Sequence, residues 1–192
     1  MRQWTRVICF FLVLFLTWIP VHALKAQASS SYPKKGFRAE VLKEFDGLSE
    51  KFVSLAEAFP GEKYAWRPAE GVRSVGEVFG HVASGNYFFS TWLGAKIPDD
   101  IHPDEIEKMT DKTKLLEALK KSIDFYRQAV LKVGDDGLEN MVKMMNRQGT
   151  TREALLFVAA HEPEHLGQLI AYARMNGVVP PWTAARQQQM KK

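Results

Sequence analysis

Apolar side chains recur at steps of three and four residues along four separate stretches of this chain. That spacing commits it to amphipathic helices packed stripe against stripe. In the first stretch Phe37, Val41, Phe45, Leu48, Phe52, Leu55 and Phe59 mark one helix face, up to a stop at Pro60-Gly61. The second opens with Ser74-Val75-Gly76-Glu77, a capping-box pattern in which Ser74 and Glu77 satisfy each other's end amides, and it continues through Val78, Val82, Phe89 and Leu93. The third starts near Asp111 and carries Leu115, Leu119, Ile123, Tyr126, Val130 and Val133 before Gly134. The fourth repeats the capping box as Thr150-Thr151-Arg152-Glu153 and runs to Asn176-Gly177, where the glycine is a natural stop ahead of Pro180-Pro181. No stretch sustains two-residue alternation. The class is all-α, and four long amphipathic helices predict a four-helix bundle. The connections at about 60–73, 95–110 and 134–149 exceed what a minimal bundle needs, and permit a crossover between parallel neighbours.

The N-terminus reads as a separate element. Arg2 and Arg6 precede an uncharged, mostly apolar run from Val7 to Ile19, and Ala26-Gln27-Ala28 offers small residues at both cleavage-determining positions. Residues 1–28 are therefore expected to be a secretory signal peptide, with Val21-His22-Ala23 as a second acceptable cleavage site. The run is short of the ~20 residues of a membrane span, so no stable insertion is expected after cleavage, although an uncleaved anchor is the competing reading. Residues 29–35 read as a flexible linker, 36–182 as the bundle and 183–192 as a disordered tail. The protein is expected to be exported, as a periplasmic or secreted protein.

Cleavage also changes what the charge means. Loss of Arg2, Arg6 and Lys25 takes three cations from 26, leaving 23 against 22 acidic residues and lowering the formal charge from +4 to +1. A nucleic-acid partner is excluded on that balance. The only cysteine, Cys9, leaves with the leader, so any metal site in the mature chain must use nitrogen and oxygen ligands.

Such a site is suggested by His161-Glu162-Pro163-Glu164-His165 in the fourth helix. Residues four apart lie one above the other, so two imidazoles can converge on one ion. The competing reading is two ordinary surface or core histidines. At 100° per residue the pair shares its side with Val158, Leu169 and Tyr172 and faces the bundle or its rim. His81 stands beside the Val78, Val82 and Phe89 stripe of the second helix, with Gly85 one turn further on. That glycine either leaves open volume beside the imidazole or merely allows close helix packing. Three histidines on two packed helices would leave a fourth coordination position open, as catalytic zinc sites do.

The remaining candidates are weaker. Glu162 is the available proton acceptor; its alternatives are a second-shell hydrogen bond to a ligand or a packing-edge ion pair with Arg174 or another cation. Glu164 is expected to face solvent and His102 to be an ordinary surface residue. Met141, Met144 and Met145 suggest irregular apolar packing rather than a soft copper site. Pro163 removes a helical hydrogen bond between the two histidines at a cost of ~3 kcal/mol. Its kink either helps the imidazoles converge or weakens the site.

Two blocks of sequence resemble one known family. Arg73-Ser74-Val75-Gly76-Glu77-Val78-Phe79-Gly80-His81-Val82-Ala83, preceded by Tyr64-Ala65-Trp66-Arg67-Pro68, resembles the first signature of the DinB-like family. Ala160 to Tyr172, with Asn176-Gly177-Val178-Val179-Pro180-Pro181 after it, resembles the second. The likeness spans about 37–182. It implies an up-down-down-up bundle, often a homodimer, with one divalent metal, usually zinc or nickel, on His81, His161 and His165. It further implies relatives among metal-dependent thiol transferases and a thiol-dependent isomerase acting on small molecules. Pro163 departs from the family pattern, and so does the leader, because an exported protein would not meet a cytoplasmic thiol pool. The expectation is thus a metal-dependent hydrolase or transferase on an unknown small molecule; the alternative is a non-catalytic metal-binding or stress-associated bundle.

Overall fold

The computed structural model of the protein describes residues 32–191; the expected leader and residues 29–31 of the expected linker lie outside them. Four long helices make its body: α1 (Phe37–Ala58), α2 (Val75–Trp92), α4 (Lys112–Lys132) and α5 (Thr151–Met175). The one-turn α3 (Pro103–Ile106) lies between α2 and α4, a hairpin of β1 (Met141–Met144) and β2 (Arg147–Thr150) precedes α5, and α6 (Pro181–Gln189) follows it. Among the described residues no helix is long and apolar enough to cross a membrane.

Both capping boxes form as the sequence requires. The Glu77 amide donates to Ser74 Oγ (3.2 Å) while the Ser74 amide donates to Glu77 Oε2 (2.7 Å), and Thr150 with Glu153 repeats the exchange at α5. At the other end of α5 Asn176 is the cap and Gly177 takes φ 71°, a left-handed conformation that glycine enters without penalty.

Side-chain contacts between the helices fix their directions. Lys112, at the start of α4, donates to Glu57 O and Phe59 O at the end of α1, whereas Arg38 at the start of α1 reaches Leu131 O. α1 and α4 are antiparallel. Lys112, the first residue of α4, lies over the ring of Tyr64, whose carbonyl accepts from the Gly76 amide at the start of α2. Further along, Asn86 donates to Ser122 Oγ, so residue numbers rise together along α2 and α4 and these neighbours are parallel. α5 begins with Arg152 over the Phe37 ring and ends with Tyr172 against Trp66, beside the start of α2. The order is up-down-down-up, and the segment from Leu93 to Asp111 is the crossover. Phe52, Phe59, Phe79, Leu119, Leu155 and Leu169 are among the side chains closed off from solvent at its centre, each contributing about 1.5–3 kcal/mol by leaving water.

Three local features depart from the sequence reading. The 134–149 connection holds the antiparallel hairpin, paired from Met141↔Thr150 to Met144↔Arg147. Its strands are four residues long and bury chiefly Met144, too little alternation to show. The tail expected to be disordered over 183–192 is helical to Gln189, as part of a helix that spans Pro181–Gln189. Pro181 pre-sets the first turn, the Ala184-Ala185-Arg186-Gln187 run favours helix, and Trp182 lies against the core. Tyr32, in the expected flexible linker, is hydrogen-bonded to Asp46 of α1, which ties that end to the bundle.

Candidate metal centre

The i, i+4 geometry of α5 stacks His161 over His165, with ring centroids 4.4 Å apart. Antiparallel packing of α2 on α5 brings His81 to the same point, its ring 4.8 Å from His165 and 5.6 Å from His161. One ligand nitrogen from each lies within 4.8 Å of the other two. α5 is continuous through Pro163, whose ring is on the exposed face, so the missing amide does not prevent this convergence.

Hydrogen bonds specify which nitrogens point inward. The Tyr172 hydroxyl donates to Arg73 O (3.2 Å) and therefore accepts from Gln168 Nε2 (2.9 Å), which turns Gln168 Oε1 toward His165 Nδ1 (3.2 Å). An amide oxygen only accepts, so Nδ1 carries the proton and His165 Nε2 presents a lone pair. His81 Nδ1 lies 3.0 Å from Glu107 Oε1, so its N–H donates to the carboxylate and its Nε2 is likewise free. His161 Nε2 stands 3.1 Å from His165 Nε2. Two imidazole nitrogens facing each other need a proton or a cation between them. With metal–nitrogen bonds of ~2.0–2.1 Å, tetrahedral ligands sit ~3.3 Å apart, so this pair is already at ligand spacing. Burial pushes His81 and His165 below the usual imidazole value, helped at His81 by the Arg73 guanidinium and opposed there by Glu107. Both are thus neutral at pH 7, the form that binds metal. The residues fit a divalent ion that accepts nitrogen ligands.

Glu162 lies on the other side of His161. It is 2% exposed, and its Oε1 is 3.7 Å from His161 Nδ1, beyond hydrogen-bonding distance. Neither atom has a hydrogen-bond partner among the described residues, and Asn86 Oδ1 and the Tyr126 hydroxyl are similarly unpaired and buried. Burial raises the Glu162 carboxyl above the usual range, with His161 acting against it. The ion pair with Arg174 is not formed.

His81 and His161 of the triad line a cavity of about 570 Å³, together with Gly85, Phe88, Phe89, Met145 and Phe157 and with His102, Pro103, Asp104 and Glu107. Gly85 serves both readings of it. A Cβ there would stand 3.1 Å from Phe89 and 3.7 Å from His161, so the position is tightly packed and also part of the cavity floor. Glu162 is not among the lining residues.

A family model described as DinB superfamily matches residues 44–169. The chain belongs to the DinB superfamily. Among solved structures it is similar to a DinB-like protein from Bacillus cereus, at 17% identity and TM-score 0.65, with 73% of this chain and 93% of that one covered. It is also similar to YfiT from Bacillus subtilis, described as a probable metal-dependent hydrolase with an unusual four-helix bundle topology, at 15% identity and TM-score 0.58, with 77% and 94% covered. At these identities the likeness establishes the fold. No curated protein matches by sequence.

On this DinB scaffold, sequence reasoning brought out the three histidines and missed Glu107. Its position depends on Gly80, where a Cβ would come within 2.8 Å of Ile106 O and 2.9 Å of Glu107 Cα. Only glycine lets the end of α3 lie directly on α2, next to His81. Gly80 beside His81 was the available signal. Gln168 was visible only as part of the family pattern, and its hydrogen bonds supply the reason for it. His102 is exposed, as expected, but stands on the cavity rim. Of the three methionines, Met144 is core, Met141 is exposed and Met145 reaches the cavity.

Proposed function

We propose that this DinB-superfamily protein is an exported metalloenzyme that carries out hydrolysis or group transfer on a small molecule at His81, His161 and His165. The observation that carries the reading is the orientation of the triad. Two of its Nε2 atoms have their Nδ1 protons committed elsewhere, and two of its rings, His81 and His161, line a cavity with His165 buried directly behind them. A divalent ion held there supplies Lewis-acid polarisation of a substrate oxygen. Glu107 accepts a hydrogen bond from His81 Nδ1–H at Oε1 and pairs through the same oxygen with Arg73 (3.1 Å). No hydrogen bond among the described residues uses its Oε2, and the residue lines the cavity, so this oxygen is placed to accept a proton from a bound substrate. The proton-acceptor role therefore passes from Glu162 to Glu107. Buried behind His161, Glu162 fits the orienting alternative, accepting from Nδ1 once a small closure removes the remaining gap.

The test is the metal content of the purified protein and of a His81→Ala/His161→Ala/His165→Ala variant. About one ion per chain in the first and none in the second is the expected result. Stoichiometric metal retained by the triple variant would overturn the assignment.

A further inference from the structure

The wall beside the triad gathers exposed apolar side chains around a cavity. Phe88 is 44% exposed and Met145 52% exposed, and both border the cavity. Phe88 and Phe157 each pack on Phe89, which in turn meets the His161 ring edge-on at 5.0 Å. An exposed apolar patch continuous with a cavity marks a surface that something apolar covers. Met145 adds an independent observation. It occupies the first turn position of the β1–β2 hairpin at φ 42°, among the described residues the sole non-glycine with positive φ. Glycine is the preferred residue at such a position. A residue held there against its backbone preference, with its side chain bordering the cavity, marks a functional constraint.

The charge of the cavity lining narrows the ligand further. Asp104 and Glu107 are its charged residues, and no Lys or Arg lines the cavity. A negatively charged ligand would meet the Asp104 carboxylate and a Glu107 carboxylate whose Arg73 partner lies outside the lining, with no cation of the protein facing the cavity. A volume of about 570 Å³ accommodates a molecule of one or two rings.

We propose that the substrate is a small neutral or cationic molecule with a flat apolar body, which lies between Phe88, Phe157 and Met145 while a heteroatom-bearing head reaches the triad. This rests on the metal reading above, and the experiment separates the two. The cobalt-loaded protein is titrated with acetohydroxamate, benzohydroxamate and 4-carboxybenzohydroxamate, and binding is followed in the visible spectrum. Benzohydroxamate is expected to bind at least ~10-fold tighter than acetohydroxamate, since burying one ring removes enough apolar area for that factor. The carboxylated probe is expected to bind at least ~10-fold weaker than benzohydroxamate, because its charge meets the acidic wall. Met145→Gly, which relieves the backbone and keeps the fold, and Phe157→Ala should each reduce the preference for benzohydroxamate over acetohydroxamate. If acetohydroxamate binds and benzohydroxamate binds no tighter, or the preference survives in both variants, the apolar-ligand proposal is overturned and the metal reading stands. Tight binding of the carboxylated probe would overturn the charge assignment. A spectrum that responds to none of the three would remove the metal reading and this proposal with it.

Discussion

Helices α4 and α5 are of similar length and cross the same bundle, yet they are built to different ends. α4 buries Leu115, Leu119, Ile123, Tyr126 and Val130, and its charged residues stay at the surface, with Lys120 on Glu57 and Arg127 on Asp46. α5 buries Glu162 and His165 among its apolar residues and has a proline between its two histidines. Each of these choices lowers the stability of the helix that makes it. One helix supplies stability, and the other uses some of it to hold two of the three ligand nitrogens in place.

The largest expected effect tests the α4 side of that contrast. Leu119→Ala removes a fully buried side chain and should cost ~2–5 kcal/mol in denaturant unfolding, with the metal content of the folded protein unchanged. A loss of metal at full folding would show that α4 also shapes the site. On α5, Pro163→Ala should stabilise the metal-free protein by up to ~3 kcal/mol and the metal-bound protein by less, if coordination already clamps the two halves of the helix. Thermal melts with and without chelator decide it; equal gains would make proline and metal independent.

A third change leaves the fold and loosens the ligands. Gln168→Leu removes the acceptor that fixes His165, and Glu107→Gln weakens the one that fixes His81. Each should lower metal affinity by ~10–100-fold with little change in unfolding. An affinity equal to wild type would mean that helix packing alone orients the rings. The smallest effect concerns Glu162. Its folded-state pKa is raised by burial, so the folded protein holds this proton more tightly than the unfolded chain. The favourable contribution of the protonated form is complete below the unfolded value near 4.5, and it is lost as pH rises through the raised one. Glu162→Gln should therefore stabilise the metal-free protein by ~1–2 kcal/mol at pH 8 and by progressively less toward pH 4. A gain independent of pH would place the benefit in packing and not in charge.

How far the sequence revealed this molecule follows the range of the interactions. Phe37 through Phe59, the Ser74/Glu77 and Thr150/Glu153 boxes and the His161–His165 spacing all act within one or two helical turns, and each was readable from residues alone. Glu107 was not, because its contact with His81 spans 26 positions and depends on a glycine that carries no chemistry of its own. The α6 helix lacks an apolar stripe, so periodicity gave no sign of it. The burial of Glu162 was partly visible from its angle on the wheel. Its lack of a Lys or Arg partner among the described residues was not, since that depends on how the neighbouring helices pack around it. His81 joined the pair through family pattern as much as spacing, and only the packing of α2 on α5 supplies the physical reason.

Arg73 sits one residue before the cap of α2 and takes part in both orienting chains: its carbonyl receives the Tyr172 hydroxyl, and its guanidinium meets Glu107. One residue thus works as a gauge between two helices. A slip of α5 along α2 by one residue, ~1.5 Å, would break the Tyr172 contact and, through Gln168, release His165 while His81 stayed aligned. Grafting the three histidines onto another antiparallel helix pair would transfer the ligands without this gauge, and the axial offset between His81 and His165 would then be free to drift.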